Sequence, residues 1–299
     1  MKVNKPSSES IGAEVLELDI TSVAPSEIRS IKQLVYEHKL VIFRNQNIGT
    51  QEYLEFAKKL GTPQIYPQDN YHHPDHPEIF VSSNVLKDGK KFGVRGTGKY
   101  WHTDCAFLEE PLPLTMLHPQ IIPNSIRETY YIDMQQVYQK LPAHLKSYVE
   151  GNYLIHEAKW RYKVQEWDID KALIDIFHEI QDRFPAVQHP GVITHPLTQK
   201  KILYMSSGFT TRIVGLDYEI NKKVLRELFA FIEREEHIYT HKWQDGDIIL
   251  WENRTINHKA SAVPEGEKSV SYRIGIYDNL PFYVSSKAVE EHSKILTKI

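Results

Sequence analysis

A histidine and an aspartate separated by one residue are the first pair in this chain that could bind a metal ion. His102 and Asp104 lie in the stretch 101–104, which reads WHTD. In an extended strand, side chains two residues apart point to the same face, so an imidazole and a carboxylate would share one wall. One further histidine would complete the facial triad that suits non-heme Fe(II) oxygenases. An H-x-D triplet alone is a weak signal, because it arises often by chance.

The missing ligand is predicted near the other end of the chain. The segment 246–254, which reads GDIILWENR, leads to His258, and Arg273 follows in the next predicted strand. Three protein ligands on one face leave positions of an octahedral ion open for a chelating co-substrate and for oxygen. The sequence therefore predicts that His102, Asp104 and His258 bind iron and are the catalytic residues.

Taken in this order, the segments resemble the TauD/TfdA family of Fe(II)- and 2-oxoglutarate-dependent dioxygenases. The resemblance also rests on ETYYID at 128–133, THPLT at 194–198 and GFTTRIVGL at 208–216. It implies a double-stranded β-helix with flanking helices, Fe(II) as the metal, and 2-oxoglutarate and O2 as co-substrates. Halogenating relatives replace the carboxylate ligand with a small residue, so Asp104 implies the oxygenase ligand set.

The far carboxylate of 2-oxoglutarate needs a cationic anchor, and a bidentate guanidinium suits this role better than an ammonium group. The resemblance places Thr129 at this anchor. The taurine enzyme has an arginine where this chain has Ser269. Two arginines are therefore candidates for the anchor. Arg273 lies later on the same predicted strand, and Arg127 shares a strand face with Thr129 because the two are two residues apart.

The polar-aromatic stretch 68–83 departs from the taurine enzyme and resembles the isonitrile-forming, ScoE-type branch of the family. Tyr66, Arg127 and Lys163 match residues that line the pocket of that branch. The resemblance implies a small-molecule carboxylate as substrate, an N-carboxymethyl-3-amino fatty acid such as 3-((carboxymethyl)amino)butanoate. Oxidative decarboxylation would convert it to the 3-isocyano acid. The predicted substrate-binding residues are Tyr66, Tyr71, Lys163 and Phe209.

Three other functions remain open from the sequence. The nearest is a taurine- or alkylsulfonate-type dioxygenase that hydroxylates a small anionic substrate. A cupin-like protein that binds metal without turnover is the second, and the complete triad with an anion anchor argues against it. A zinc hydrolase is the third; it usually combines His-rich ligation with a separate general base, which this sequence does not offer.

Composition and charge point to a cytoplasmic protein. The 299 residues carry a net charge of −3, which gives no reason to expect nucleic acid as a partner. No apolar run approaches the roughly 20 residues of a membrane span, and the N-terminus lacks the apolar core of a signal peptide. The single cysteine, Cys105, excludes an internal disulfide and fits a reducing compartment. Oligomeric state stays open, with a homo-oligomer as one alternative.

Hydrophobic periodicity predicts a mostly β chain with flanking helices, arranged as the double-sheet jelly roll of cupins. No linker or repeat divides residues 1–299, so a single domain is predicted. The predicted helices are 26–38, 50–60, 134–150, 170–184 and 221–236. The predicted strands are 11–20, 40–43, 78–83, 114–118, 127–133, 187–194, 201–206, 242–243, 247–251 and 270–277. A loop is predicted at 87–100, and an insert with a polar-aromatic loop at 151–186. By strand alternation, Cys105 is predicted to face away from Asp104.

Overall fold

The computed structural model describes residues 1–5, 11–125 and 127–284. Within these ranges the chain forms six α-helices. They are α1 Pro25–His38, α2 Thr50–Leu60, α3 Met134–Lys140, α4 Ala143–Val149, α5 Leu173–Arg183 and α6 Tyr218–Ile232. None of the helices in the described ranges is long and apolar enough to cross a membrane.

The strands within the same ranges are more numerous and mostly short. They are β1 Lys2–Asn4, β2 Ala13–Leu16, β3 Leu40–Phe43, β4 Thr62–Pro63, β5 Phe80–Ser83, β6 Leu86–Lys87, β7 Lys90–Lys91, β8 Leu114–Ile121, β9 Glu128–Asp133, β10 Tyr153–His156, β11 Val187–Pro190, β12 Val192–Thr194, β13 Lys201–Leu203, β14 Thr210–Ile213, β15 Ile238–Lys242, β16 Ile248–Glu252, β17 Ile256–Ala260 and β18 Val270–Tyr277.

The larger sheet has the order β1-β2-β3-β16-β8-β18-β4, with β5 also paired to β18. Every pair in it is antiparallel except β2 with β3. All residues of β3 and β16 are buried, which explains why both read as continuous apolar runs instead of alternating. Helices α1 and α2 contribute to the hydrophobic core that lies against this sheet.

A smaller sheet, β15-β9-β17, lies opposite the larger one. Between the two sheets, Tyr131 of β9 packs edge-on against Trp251 of β16, with ring centroids 5.7 Å apart. Both rings belong to a core that also contains Leu40, Ile42, Ile249 and Ile256. Helices α3, α4 and α6 pack in a second core with Ile132 of β9. The predicted double-sheet jelly roll with flanking helices is confirmed.

Several predicted elements are wrong in detail. Residues 134–150 form two helices, because Pro142 cannot donate the backbone hydrogen bond that would continue α3. The strand predicted at 242–243 is the end of β15, which begins at Ile238. The insert 151–186 opens with β10, which pairs with β11 and β14 and was not predicted as a strand.

Candidate metal centre and active site

Two histidines from distant parts of the chain face each other at the edge of the smaller sheet. The backbones of His102 and His258 form an antiparallel bridge, with N···O distances of 3.0 and 2.7 Å. Their ring centroids lie 4.1 Å apart. Together with Asp104, each offers one ligand atom, and these atoms all lie within 4.8 Å of one another. The arrangement could hold one metal ion.

The strand predicted at His102 and Asp104 is wrong. His102 makes only the isolated bridge, and a turn begins at Asp104. Thr103 points away and donates a hydrogen bond to the Asn253 carbonyl at 2.7 Å. The His102 Nε2 and Asp104 Oδ1 atoms nevertheless lie 3.7 Å apart. A turn, not a strand, brings the imidazole and the carboxylate to the same side.

The Asp104 carboxylate is buried but strongly stabilised as an anion. Thr115 of β8 donates a hydrogen bond to Oδ2 at 2.7 Å, and Arg273 of β18 donates to Oδ1 at 2.5 Å. Burial alone would raise the pKa of Asp104, but the charge of Arg273, followed by the two histidines, lowers it to about 2. Asp104 is therefore ionised at neutral pH, as a metal ligand must be.

Both histidines are neutral near pH 7 and can act as metal ligands. Burial lowers the pKa of His102, and burial followed by the neighbouring His102 lowers that of His258 well below its usual range. His102 Nδ1 lies 2.8 Å from the Tyr100 carbonyl, so Nδ1 carries the proton and Nε2 keeps its lone pair. The buried His258 Nδ1 has no hydrogen-bond partner within the described ranges. Two neutral imidazoles and one carboxylate fit Fe(II).

Arg127 and Thr129 line the cavity around the metal-binding group formed by His102, Asp104 and His258, hereafter the metal cavity. Arg127 donates to the Ser261 carbonyl at 2.8 Å, and among the described residues no carboxylate lies within ion-pair distance of it. The Thr129 hydroxyl accepts a hydrogen bond from Trp243 Nε1 at 2.8 Å. Arg127 also lines a small adjoining cavity of about 40 Å³ together with Ser269.

Arg273 also lines this cavity, but its contacts differ from those of Arg127 and Thr129. Its guanidinium sits 4.2 Å from the centre of the Phe80 ring and 5.3 Å from that of Tyr66. Tyr71 stacks on Phe80 with centroids 4.5 Å apart. The polar-aromatic stretch predicted to bind substrate thus packs directly around the arginine that contacts Asp104.

Lys163 lines the same cavity, but its ammonium is engaged elsewhere. It donates to the carbonyls of Arg95 and Gly96, both at 2.5 Å. Burial lowers the pKa of Lys163, and the charge of Lys99 adds to the effect. Lys163 therefore joins the insert to the glycine-rich segment that precedes His102.

The match to a known family accounts for this arrangement. Residues 4–274 match the family described as taurine catabolism dioxygenase TauD, TfdA family. The chain belongs to the TauD/TfdA family. It is an α-ketoglutarate-dependent dioxygenase, an oxidoreductase that uses Fe(II), 2-oxoglutarate and O2.

Individual TauD/TfdA proteins match along most of their length. The chain is 27% identical over 254 residues to an alkylsulfatase of Acinetobacter baylyi, covering 84% of this chain and 77% of the relative. It is 26% identical over 269 residues to an α-ketoglutarate-dependent 2,4-dichlorophenoxyacetate dioxygenase of Cupriavidus pinatubonensis, covering 86% and 91%. A crystal structure of a taurine dioxygenase from Burkholderia xenovorans superposes with a TM-score of 0.75 at 26% identity, covering 96% and 93%.

Two further residues in or next to this TauD/TfdA site were not identified from the sequence: Thr115, which binds Asp104, and Arg161, which lines the cavity. Thr115 gave no signal, because a threonine in a strand is ordinary. Arg161 lay in the predicted polar-aromatic loop; its guanidinium stacks 4.5 Å from the centre of the Tyr100 ring and donates to the carbonyls of Ser207 and Gly208, both at 2.9 Å. These contacts tie the insert to the segment that carries Phe209.

Cys105 was predicted to face away from Asp104, and this is wrong. Its backbone is left-handed, with φ of 56°, so strand alternation does not apply and the side chain lines the metal cavity. Burial raises the pKa of the Cys105 thiol to about 12, which keeps it protonated. Only His102, Asp104 and His258 form the metal-binding group among the described residues.

A second buried charged cluster lies away from the metal. Arg254 pairs with Asp278 at 2.8 Å and with Glu252 at 3.3 Å, and its side chain is fully buried. His195 Nε2 lies 2.5 Å from Glu252 Oε1, the same oxygen that Arg254 contacts. The Tyr36 hydroxyl donates to Asp278 at 2.8 Å. The contacts of His195 are therefore those of a structural residue.

Proposed function

We propose that this TauD/TfdA dioxygenase converts an N-carboxymethyl-3-amino fatty acid, such as 3-((carboxymethyl)amino)butanoate, into the 3-isocyano acid. The observation that carries the proposal is the number of cations around one metal-binding group. Arg127, Arg273 and Lys163 all line the cavity. One guanidinium is enough for 2-oxoglutarate, so the remaining cations suit a substrate with two carboxylates of its own.

We assign His102, Asp104 and His258 as the iron ligands. When bound, Fe(II) supplies the oxidising chemistry, with 2-oxoglutarate and O2 as the consumed co-substrates. The protein contributes the charge and the orientation of the ligands. Thr115 and Arg273 fix both oxygens of Asp104, so the carboxylate cannot rotate freely.

Arg127 with Thr129 is the proposed anchor for the far carboxylate of 2-oxoglutarate. Among the described residues Arg127 has no acidic partner, and it lines a small cavity together with Ser269, the position at which the taurine enzyme has an arginine. Arg273 is then the proposed contact for a substrate carboxylate. Its neighbours support this, because they include Tyr66 and the stacked Tyr71 and Phe80 rings.

Tyrosines and Lys163 complete the proposed substrate site. Burial raises the pKa of Tyr71 to about 12, so its hydroxyl stays protonated and can donate to a carboxylate. Lys163 must exchange a backbone carbonyl for the substrate carboxylate, because both of its present contacts are carbonyls. Phe209 forms the proposed wall on the His102 side, with ring centroids 6.1 Å apart.

The proposed reaction balances with the co-substrates of the family. Conversion of the group –NH–CH2–COOH to –N≡C with release of CO2 removes four hydrogens, a four-electron oxidation. Two molecules of O2 accept these four electrons together with four more from two molecules of 2-oxoglutarate, and the products are two succinates, two further CO2 and two waters. The task of the protein is to hold the carbon between nitrogen and carboxylate beside the metal through both oxidations.

A second candidate is supported by the relatives. One is named an alkylsulfatase and a structural neighbour is a taurine dioxygenase. An alkyl sulfate or sulfonate would place its single anionic group on Arg273. Such a substrate would leave Lys163 without a role in binding.

The test is turnover with Fe(II), 2-oxoglutarate and either class of substrate, followed by mass spectrometry. Isonitrile from the N-carboxymethyl acid, and none from the amino acid that lacks the N-carboxymethyl group, is expected. A charge-assisted hydrogen bond contributes on the order of 1.5–3 kcal/mol, so Lys163→Ala should lower kcat/KM about tenfold to a hundredfold. Lys159→Ala is the matched control, since Lys159 pairs with Glu157 on the same insert. Turnover of sulfonates without any isonitrile would overturn the proposal.

A further inference from the structure

A second cavity adjoins the metal cavity and shares part of its wall. It has a volume of about 450 Å³, whereas the metal cavity has about 130 Å³. Phe107 and Phe184 line both. The second cavity continues along the segment 183–189 to Tyr283. Two aromatic side chains therefore stand between the metal-binding group and a larger space.

A row of aromatic rings leads from the metal ligand to this shared wall. Phe209 contacts His102, with ring centroids 6.1 Å apart. Phe107 follows at 5.1 Å from Phe209, and Phe184 at 5.6 Å from Phe107. Ile180 of α5 is buried and lines the metal cavity as well. This row carries no charge along its length.

The two arginines that are proposed to hold carboxylates make their contacts away from this row. Arg273 stacks on Phe80 and Tyr66, and Arg127 binds the Ser261 carbonyl. A substrate with an anionic head group and an apolar chain would therefore place the head group near these arginines and the chain along the row of aromatic rings. Burial of the apolar chain against the aromatic rings is favourable, whereas burial against the charged groups would cost free energy because they would lose their polar partners.

We propose that Phe209, Phe107 and Phe184 form the subsite for the alkyl chain of the substrate, and that Phe184 limits the length of that chain. The inference extends the proposed function by naming the part of the site that selects the chain. If Phe184 were removed, longer chains would enter the second cavity.

The volumes support a length limit. An apolar cavity of about 150 Å³ accommodates a molecule the size of benzene. The metal cavity, at about 130 Å³, is no larger than that. Because 2-oxoglutarate and the head group of the substrate must share this space, little of it is left for an alkyl chain, and each further methylene must displace a side chain of the wall. Phe107 and Phe184 both line the two cavities, and Phe184, next to the end of α5, is the ring proposed as the obstacle.

Phe184 is held firmly enough to act as an obstacle. It directly follows α5, and its backbone N–H donates to the Ile180 carbonyl at 2.8 Å. The Arg183 guanidinium lies 5.4 Å from the centre of the Phe184 ring and donates to the Pro67 carbonyl. The ring is thus braced by both the helix and the segment that carries Tyr66.

The experiment compares chain-length preference in wild type, Phe184→Ala and Phe177→Ala. Phe177 lies on the same helix but packs against Trp160 and lines neither cavity, so its variant is a matched control. Enzyme loaded anaerobically with Fe(II) and 2-oxoglutarate is titrated with N-carboxymethyl-3-amino acids of four to ten carbons. Binding is followed through the visible band of the chelate. A parallel series of alkyl sulfates tests the same subsite with a different head group.

Phe184→Ala should raise the affinity for the longest chain relative to the shortest by at least about tenfold. Each buried methylene contributes roughly fourfold, equivalent to about 0.8 kcal/mol. Phe177→Ala should leave this ratio as in wild type. The double variant Phe184→Ala with Ala186→Phe refills the second cavity, which Ala186 lines, and should cancel the gain. Phe184→Leu gives a smaller gain and serves if Phe184→Ala does not fold.

The outcomes separate the two proposals. A shift in chain preference seen only with alkyl sulfates would uphold the subsite and reject the isonitrile substrate. Equal ratios for Phe184→Ala and Phe177→Ala in both series would reject the subsite, even if isonitrile is formed. A gain that survives refilling with Ala186→Phe would also reject it, because the chain would then lie elsewhere. Absence of binding in both series would reject both.

Discussion

Two buried ionic clusters of this molecule contain an arginine and a carboxylate, yet they differ in how completely their atoms are bonded. Around Arg254, each of the three guanidinium nitrogens donates to at least one oxygen, including the carbonyls of Pro281 and Phe282. Around Asp104, the buried Arg273 Nε and His258 Nδ1 atoms have no partner among the described residues. The first cluster is complete within the protein, and the second is not.

This difference separates a structural cluster from a binding site. A buried polar atom without a partner costs about 1–3 kcal/mol, and at a binding site this cost is offset because a bound ligand supplies the missing partner. The cluster at Asp104 opens into a cavity lined by further cations, whereas the cluster at Arg254 joins α1, β16 and the segment 278–282. Residue types alone do not distinguish the two clusters.

The largest effect is expected from the metal-binding group. His258→Ala should lower 2-oxoglutarate consumption by more than about 100-fold, since loss of a residue that only supports a ligand already costs up to that much. The free energy of unfolding should change far less than the activity. Measurement of succinate formation and of urea unfolding on the same preparation checks both. Activity near wild type would show that His258 is not a ligand.

Arg254→Met should have the largest effect on stability. It leaves the buried Glu252 and Asp278 carboxylates without their cation, which costs about 3–5 kcal/mol. Urea unfolding gives the value. Arg212→Met is the control, because Arg212 is exposed and such changes stay within about 0.5 kcal/mol. Equal stability of the two variants would contradict the structural role of the Arg254 cluster.

Arg127→Ala and Arg273→Ala should affect different ligands. Loss of one charge-assisted contact costs on the order of 1.5–3 kcal/mol, about tenfold to a hundredfold in an apparent constant. Arg127→Ala should raise the KM for 2-oxoglutarate. Arg273→Ala should raise the KM for the substrate and uncouple 2-oxoglutarate consumption from product. The reverse pattern would exchange the two assignments.

A buried histidine outside both clusters should make stability depend on pH. Burial, followed by the neighbouring His189, lowers the pKa of His156 to about 3 from its ordinary 6.5. The unfolded chain therefore binds the proton more readily, and stability is lost as pH falls below about 6.5. The expected loss from this group between pH 7 and pH 5 is roughly 2 kcal/mol.

The variant His156→Phe tests this dependence. Its free energy of unfolding should change less than that of wild type between pH 7 and pH 5, with 2-oxoglutarate consumption retained, because His156 lines no part of the metal cavity. Equal pH slopes for the two proteins would mean that His156 is charged in the folded state or that other groups dominate.

The sequence predicted those parts of the fold that local patterns determine. Helix α2 runs over 50–60 as predicted, because its apolar stripe is regular and Gly61 follows it. Strand β3 likewise matches 40–43. In contrast, β14 and β17 were missed, since INHKA at 256–260 does not alternate and becomes a strand only by pairing with β9.

In the candidate site, too, local patterns were predictable from the sequence and long-range contacts were not. The types and the order of His102, Asp104 and His258 were visible in the sequence, whereas the turn that aims Asp104 was not, because it depends on the left-handed backbone of Cys105. The contact between Lys163 and the Arg95 carbonyl joins segments far apart in the chain, and no local pattern encodes it. The single domain remains a prediction.

The position of β16 in the larger sheet has a consequence for synthesis of the chain. This strand joins β3 to β8, yet it is translated long after both. Until it emerges from the ribosome, β3 and β8 each keep an open edge, and such edges invite pairing with other chains. A nascent chain that ends before residue 248 cannot close the sheet. Assembly of the larger sheet therefore waits until most of the chain has been translated.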